Sequence, residues 1–285
     1  GDSFDVANKY AIQRAKDEDM TFIPPYDDEL VMAGQGTIAN EILRQWRDVD
    51  YVFVAVGGGG LIAGVAAYLG DVAPHVKVIP VEYDESACLK AAFEANERVI
   101  LPSVGLFADG TAVAQIGEKP FEVIQLQKSD NSGPIVERDV VIVNTDEICA
   151  AIKDTYDECR SIVEPSGAMA LAGIKKYVEA HGVENKNMVS IVCGANMNFD
   201  RLRYIAERTE LGERKEAIFA VTIPEEKGSF LNFCRALQGR NITEFNYRAS
   251  SSSAAQVFVG ISLKSGEKER QDIYDLLNTN YDIDD

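Results

Sequence analysis

Apolar residues fall along this chain in two patterns, short unbroken runs of β-formers and longer stretches with a helical repeat. Residues 51–56, 76–82, 140–143 and 188–192 are such runs, of the kind expected for strands buried on both faces. Between them lie helical patterns. Residues 3–20 place Phe4, Ala7, Ala11, Ala15 and Met20 near one face among charged side chains, which predicts an amphipathic helix. Pro24 and Pro25 stop that pattern, because they impose extended or turn geometry. Met32 to Ile42 starts a second helix, with Thr37 as its expected cap and Asn40 and Glu41 in the first turn. Further helices are expected from the glycines at 57–60 to about Leu69, over 86–95, from the Asn144–Glu147 capping signal to about Arg160, and from Glu164 to about Tyr177. Residues 106–110 and 128–134 read as loops.

Strands alternating with helices at this spacing imply an α/β fold, an open and mostly parallel sheet with right-handed crossovers and helices on both faces. The pattern then changes. Residues 208–216 are dominated by charge and read as a linker. Beyond it come strand 217–223, helix 228–238, strand 242–248, a serine loop at 250–253, strand 255–263 and helix 267–279. This β-α-β-β-α order is a ferredoxin-like α+β unit short of its last strand, which would begin at 281–285. The expected division is therefore a first domain over 1–207, a linker over 208–216 and a second unit over 217–285.

Composition narrows the function classes. The 285 residues carry 28 basic and 46 acidic side chains, a net charge of −18. That disfavours nucleic acid or an anionic membrane surface as partner. No apolar run approaches the length of a bilayer span, and the first residues lack the basic start and apolar core of a signal peptide. Five cysteines, an odd number without a C-x-x-C pair, argue against a disulfide framework or structural zinc and fit a reducing intracellular compartment. The two histidines, His75 and His181, sit beside expected helix ends, which leaves little room for histidine catalysis or metal binding.

Candidate chemistry centres on Gly57, Gly58, Gly59, Gly60 and Leu61. A strand, a bare glycine turn and a helix start bring backbone N–H groups to an anion at a helix N-terminus. Two ligands suit that layout. Gly58 to Ala63 fits G-x-G-x-x-A, and Glu82 ends the next strand where a ribose-binding acid belongs, so a dinucleotide oxidoreductase is one reading. A pyridoxal 5′-phosphate (PLP) enzyme, holding the cofactor phosphate on the same amides, is the other. The turn alone does not separate them.

The segments AGQGTIANEI (33–42), VGGGGLIAGVA (56–66), EPSGAMALAGIKKY (164–177), CGANMNFDRLRYIAERTELGERKEA (193–217), AVTIPEEKGSFLNFC (220–234) and ITEFNYR (242–248) follow one another in the chain. Together they resemble the biosynthetic threonine dehydratases, also called threonine ammonia-lyases, of the fold-type II PLP enzymes. The resemblance runs almost from end to end, interrupted at 128–138. It implies that Gly57–Leu61 hold the phosphate of PLP, that Cys193 faces the pyridine nitrogen, and that Gly110 and Glu164 line the ring. A neutral thiol does not protonate that nitrogen, which suits β-elimination. Helix N-terminal stabilisation is an equally good account of Glu164. No metal is expected, since Glu82, Ser86 and Cys88 do not form an oxygen cage.

The resemblance further implies conversion of L-threonine to 2-oxobutanoate and ammonia as the first step of isoleucine biosynthesis. It implies inhibition by isoleucine through an ACT-like C-terminal region, in which Phe230, Arg240 and Tyr247 match effector-associated positions. It also implies a homo-oligomer, a tetramer for the full-length parent, in the cytoplasm of a bacterium or in a plastid or mitochondrion. One element is missing. The family's Schiff-base lysine stands in a Ser-x-Lys-x-Arg-Gly-Ala motif, and no such motif occurs here, nor does the Asn- and Gly-containing loop that clasps the substrate carboxylate. The chain is accordingly expected to be an internal portion of its parent, without a catalytic lysine and with an incomplete regulatory unit. An amino-acid-binding regulatory protein built on a dead lyase domain remains the non-enzymatic alternative.

Overall fold

The computed structural model describes residues 4–126, 135–213, 215–249 and 254–284. The loops expected at 128–134 and 250–253 lie outside them. Two compact units divide at Leu202 and Arg203.

The first unit is built on four parallel strands, β1 (Tyr51–Ala55), β2 (Lys77–Tyr83), β3 (Val141–Val143) and β4 (Met188–Ser190), in the spatial order β3-β2-β1-β4. Its helices are α1 (Phe4–Asp17), α2 (Glu29–Gln45), α3 (Gly60–Val72), α4 (Cys88–Ala95), α5 (Glu118–Leu126), α6 (Thr145–Cys159) and α7 (Pro165–His181). Side chains of β1 alternate between two packed faces. Val52 and Val54 join Ile62, Val65 and Leu69 in one buried cluster, whereas Phe53 meets Tyr177 of α7 edge-on at 5.4 Å. Burial on both faces is why the strands read as continuous apolar runs rather than alternating ones. Helices α2 and α3 cross at glycine, where a Cβ on Gly36 would stand 3.0 Å from Gly64 O and one on Gly64 would overlap Met32 O.

Several starts and stops differ from expectation. Thr37 is not a cap. Helix α2 begins eight residues earlier, where the Asp28 carboxylate accepts from Leu30 N at 2.8 Å and Val31 N at 3.1 Å, and the Thr37 hydroxyl bonds Gly34 O inside the helix. The loop expected at 106–110 ends in a 3-10 turn over Asp109–Thr111. Helix α5 was not anticipated at all. Its Pro120 sits in the first turn, where no N–H is needed, and its first amides are capped by Asp27, with Glu118 N at 3.0 Å and Lys119 N at 2.9 Å. The expected capping box at Asn144 and Glu147 is present in both directions.

Helix α8 (Arg201–Gly212) takes in residues 208–212 of the expected linker, and β5 starts at Glu216. The second unit contains β5 (Glu216–Pro224), α9 (Ser229–Ala236), β6 (Ile242–Ala249), β7 (Ala254–Ser262), α10 (Glu267–Asn278) and β8 (Asp282–Asp284). Its antiparallel sheet runs β6-β7-β5-β8, with Phe219, Val221, Ile223, Val257, Val259 and Ile261 buried alongside Phe233, Ile273 and Leu277 of the helices. The last strand of the ferredoxin-like unit does begin, as three residues paired antiparallel to Ala220–Thr222 of β5.

Candidate functional site

The glycine turn leaves the carboxyl end of β1 and enters α3, the place where open parallel sheets take their ligands. Gly59 occupies the N-cap position with φ +87°, a left-handed conformation that suits glycine, and contributes no side-chain cap. The first donor of α3 with a partner in the helix is Ala63 N, which reaches Gly59 O at 3.0 Å. The N–H groups of Gly60, Leu61 and Ile62 therefore have no acceptor within the helix and point out of its positive end. The walls exclude side chains from the turn: a Cβ on Gly57 would stand 2.8 Å from Thr111 Cα, and one on Gly58 would clash with the Tyr26 ring. Burial, then the charges of Asp5 and Asp27, push the Tyr26 hydroxyl up to about 12, so it stays neutral.

From Gly57 the wall continues through Thr111 to Gly110, where a Cβ would meet Glu164 Oε1 and Ser166 Oγ, each at 2.9 Å. Glu164 is the N-cap residue of α7, yet its side chain does not cap that helix. Its carboxylate instead accepts from Asn196 N at 2.8 Å and lies against Gly194, whose carbonyl accepts from Glu164 N at 3.2 Å. Glu164 thus ties the loop after β4 to the start of α7, and makes no side-chain cap bond to that helix. Cys193 stands in that loop, half-buried, with its thiol directed to Ser166 O at 3.9 Å. Burial first, and the Glu164 charge second, raise the thiol above its ordinary range, so it remains protonated at neutral pH.

Glu82 does not serve a ribose. It is fully buried, and its two carboxylate oxygens accept from Leu89 N at 2.7 Å and Lys90 N at 2.9 Å, capping α4. That removes the acid on which the dinucleotide reading depends. The lysine pair on α7 is engaged elsewhere, Lys175 with Asp154 at 2.6 Å and Lys176 with Glu147 at 2.9 Å.

The structure brings Gly57–Leu61, Gly110, Glu164 and Cys193 to one end of the parallel sheet. Tyr26, Thr111 and Ser166 complete that wall and were not singled out in the sequence. Tyr26 follows a proline pair with no local signal, and Ser166 lies in a quoted motif without an assigned role. In the second unit, Phe230 meets Phe245 at 5.0 Å and Tyr247 at 6.3 Å, and the Tyr247 hydroxyl bonds Glu225. Both Phe230 and Tyr247 are partly exposed, so they are not core residues. Arg240 lies past the other end of α9, its guanidinium on Leu237 O at 3.3 Å.

These residues fit pyridoxal phosphate. Amides at a helix start without a side-chain cap suit its phosphate, a neutral thiol suits an unprotonated ring nitrogen, and the buried Ser166 hydroxyl has no hydrogen-bond partner among the described residues. Residues 1–194 match the family described as pyridoxal-phosphate dependent enzyme, and the chain belongs to it. Residues 207–285 match the C-terminal regulatory domain of threonine dehydratase. Within the family, the resemblance to biosynthetic threonine dehydratases stands. The biosynthetic L-threonine dehydratase of Escherichia coli is 49% identical over 98% of this chain and 52% of its own length. The mitochondrial threonine dehydratase of Saccharomyces cerevisiae is 46% identical over 98% of this chain and 49% of its own length. Among solved structures, the processed form of threonine deaminase isoform 2 from Solanum lycopersicum superposes with a TM-score of 0.66 at 43% identity, covering 71% of this chain and 53% of that one. The chain spans about half the length of the curated relatives it matches.

Proposed function

We propose that these residues supply the cofactor cup and part of the regulatory region of a PLP-dependent threonine ammonia-lyase. Its reaction is conversion of L-threonine to 2-oxobutanoate and ammonia at the head of isoleucine biosynthesis. The observation that supports this best is the succession, in one chain, of a PLP-enzyme match over 1–194 and a threonine-dehydratase regulatory match over 207–285. In this reading residues 1–207 are the catalytic portion and 217–285 the first ACT-like subdomain.

The amides of Gly57–Leu61 hold the phosphate, with the α3 dipole as their only source of positive charge among the residues of the turn. Cys193 orients the ring and, being neutral, leaves its nitrogen unprotonated. Glu164 fixes the Cys193–Asn196 loop through Asn196 N. When bound, the cofactor supplies a moderate electron sink for the electrons released from the substrate Cα. The cup holds PLP by its phosphate and ring, but the 285 residues contain no lysine in a Ser-x-Lys-x-Arg-Gly-Ala setting, so this chain by itself does not turn threonine over.

Isoleucine is the effector in this reading. Phe230 and Tyr247, which form one aromatic cluster, are its expected contacts, and Arg240 transmits its effect from the far end of α9. The parent is a homo-oligomer, a tetramer, in a reducing intracellular compartment. Titration of the chain with PLP and with nicotinamide dinucleotides, followed by a 2-oxobutanoate assay on threonine, tests the proposal. The expected result is saturable PLP binding, no dinucleotide binding and no product. Absence of PLP binding overturns the cofactor assignment, and formation of 2-oxobutanoate overturns the placement of the catalytic lysine.

A further inference from the structure

Buried hydroxyls in folded proteins almost always find a partner. Ser166 does not: it is 2% exposed and, among the described residues, its Oγ has no hydrogen-bond partner. Its position explains what the hydroxyl is kept for. Ser166 is the second residue of α7, on a helix start that receives no side-chain cap. Its Oγ would stand 2.9 Å from a Cβ on Gly110, its carbonyl accepts from the Cys193 thiol at 3.9 Å, and the next residue, Gly167, packs so closely that a Cβ would lie 2.8 Å from Gly194 O. Three segments that line the ring end of the cup, around Gly110, α7 and Cys193–Gly194, therefore close around one unsatisfied donor.

We infer that Ser166 is a cofactor-binding residue whose hydroxyl donates a hydrogen bond to the pyridine nitrogen of PLP, beside Cys193. This rests on the PLP reading of the cup and names a contact that reading did not contain. Ser166 lies against Gly110 and Cys193, whereas Gly57 lies against Thr111, and this places the hydroxyl at the ring end of the cup rather than at its phosphate end. A hydroxyl is a better donor than a thiol and, like the neutral Cys193, does not give its proton up. The nitrogen's single lone pair takes the Ser166 hydroxyl, while the Cys193 thiol, directed to Ser166 O, lies beside it, and neither group protonates it. An unpaired buried hydroxyl destabilises the protein without ligand, so removing it should not weaken the fold, and that separates this role from a structural one.

Equilibrium dialysis of PLP and of deazapyridoxal phosphate, in which a C–H replaces the ring nitrogen, against the chain and its Ser166→Ala variant provides the test. Thermal melting of both proteins without ligand accompanies it. The expected result is that Ser166→Ala binds PLP about tenfold more weakly, prefers PLP over the deaza analogue less than the parent does, and melts at the same or a higher temperature. PLP affinity equal to the parent's overturns the inference and leaves the PLP reading standing. A lower melting temperature with the preference for PLP over the analogue intact also overturns it, by making Ser166 structural. Failure of the parent chain to bind PLP overturns both.

Discussion

Single residues in the cup are held by contacts that leave little room for change. The Tyr26 ring lies where a Cβ on Gly58 would have to go, and Gly57 is equally close to the Thr111 backbone. Gly58→Ala should therefore displace Tyr26, lower stability by roughly 1–3 kcal/mol and weaken PLP binding at least tenfold, read by thermal melting and equilibrium dialysis. Glu82 has a different constraint. Burial outweighs the two α4 amides and raises its carboxyl from near 4.5 to about 7. The folded state thus holds a proton that the unfolded chain has already lost between those values. Stability from this group is full below pH 4.5, falls as pH rises, and is gone above about 7, a change of roughly 3 kcal/mol. Urea denaturation across that range should show the decline in the parent and a flatter profile in Glu82→Gln. Equal slopes would mean that Glu82 titrates normally.

At the scale of elements, two helices near the site start on acids delivered from elsewhere in the chain. Asp27 caps α5 from 91 residues upstream, and Glu82 caps α4 from the preceding strand. Asp27→Ala should cost about 1 kcal/mol in chemical denaturation. Because α5 packs on α3 and Pro120 stands 3.0 Å from a Cβ on Gly59, the same variant should loosen the glycine turn and reduce PLP affinity. An unchanged affinity would detach α5 from the cup. The helix α8 makes the opposite point. The charged run at 208–216 reads as a linker, but its first five residues, 208–212, continue helix α8, and such charge runs are solvated helix faces as readily as connections.

At the scale of the molecule, the chain holds two units with separate cores. One is centred on the β1–β2 strands with α3, the other on β5 and β7 with α9 and α10. All proposed PLP contacts belong to the first. Saturating PLP should therefore raise the melting transition of the first unit, by about 2.7 kcal/mol of added stability at one hundred times the dissociation constant. The transition of the second should stay in place. Calorimetry with and without PLP checks this, and a shift of both transitions together would show one cooperative unit.

Much of this protein is determined by its sequence alone. Strands of a parallel sheet are buried on both faces and declare themselves as apolar runs, which is why β1 to β4 were legible within a residue or two. The Asn144 capping box and the glycine turn depend only on neighbours in the chain, and the order of motifs carried the family. Tertiary structure decided what depends on distant partners. Thr37 looked like a cap because its own surroundings permit one, but Asp28 offered the first amides a carboxylate. Helix α5 needed Asp27, Glu82 proved to be a cap because α4 folds back onto it, and the Tyr26 ring reached Gly58 only through the fold. Ser166 stands out for the same reason. A serine in a motif says nothing about its hydroxyl until burial removes water and the structure offers no partner in its place.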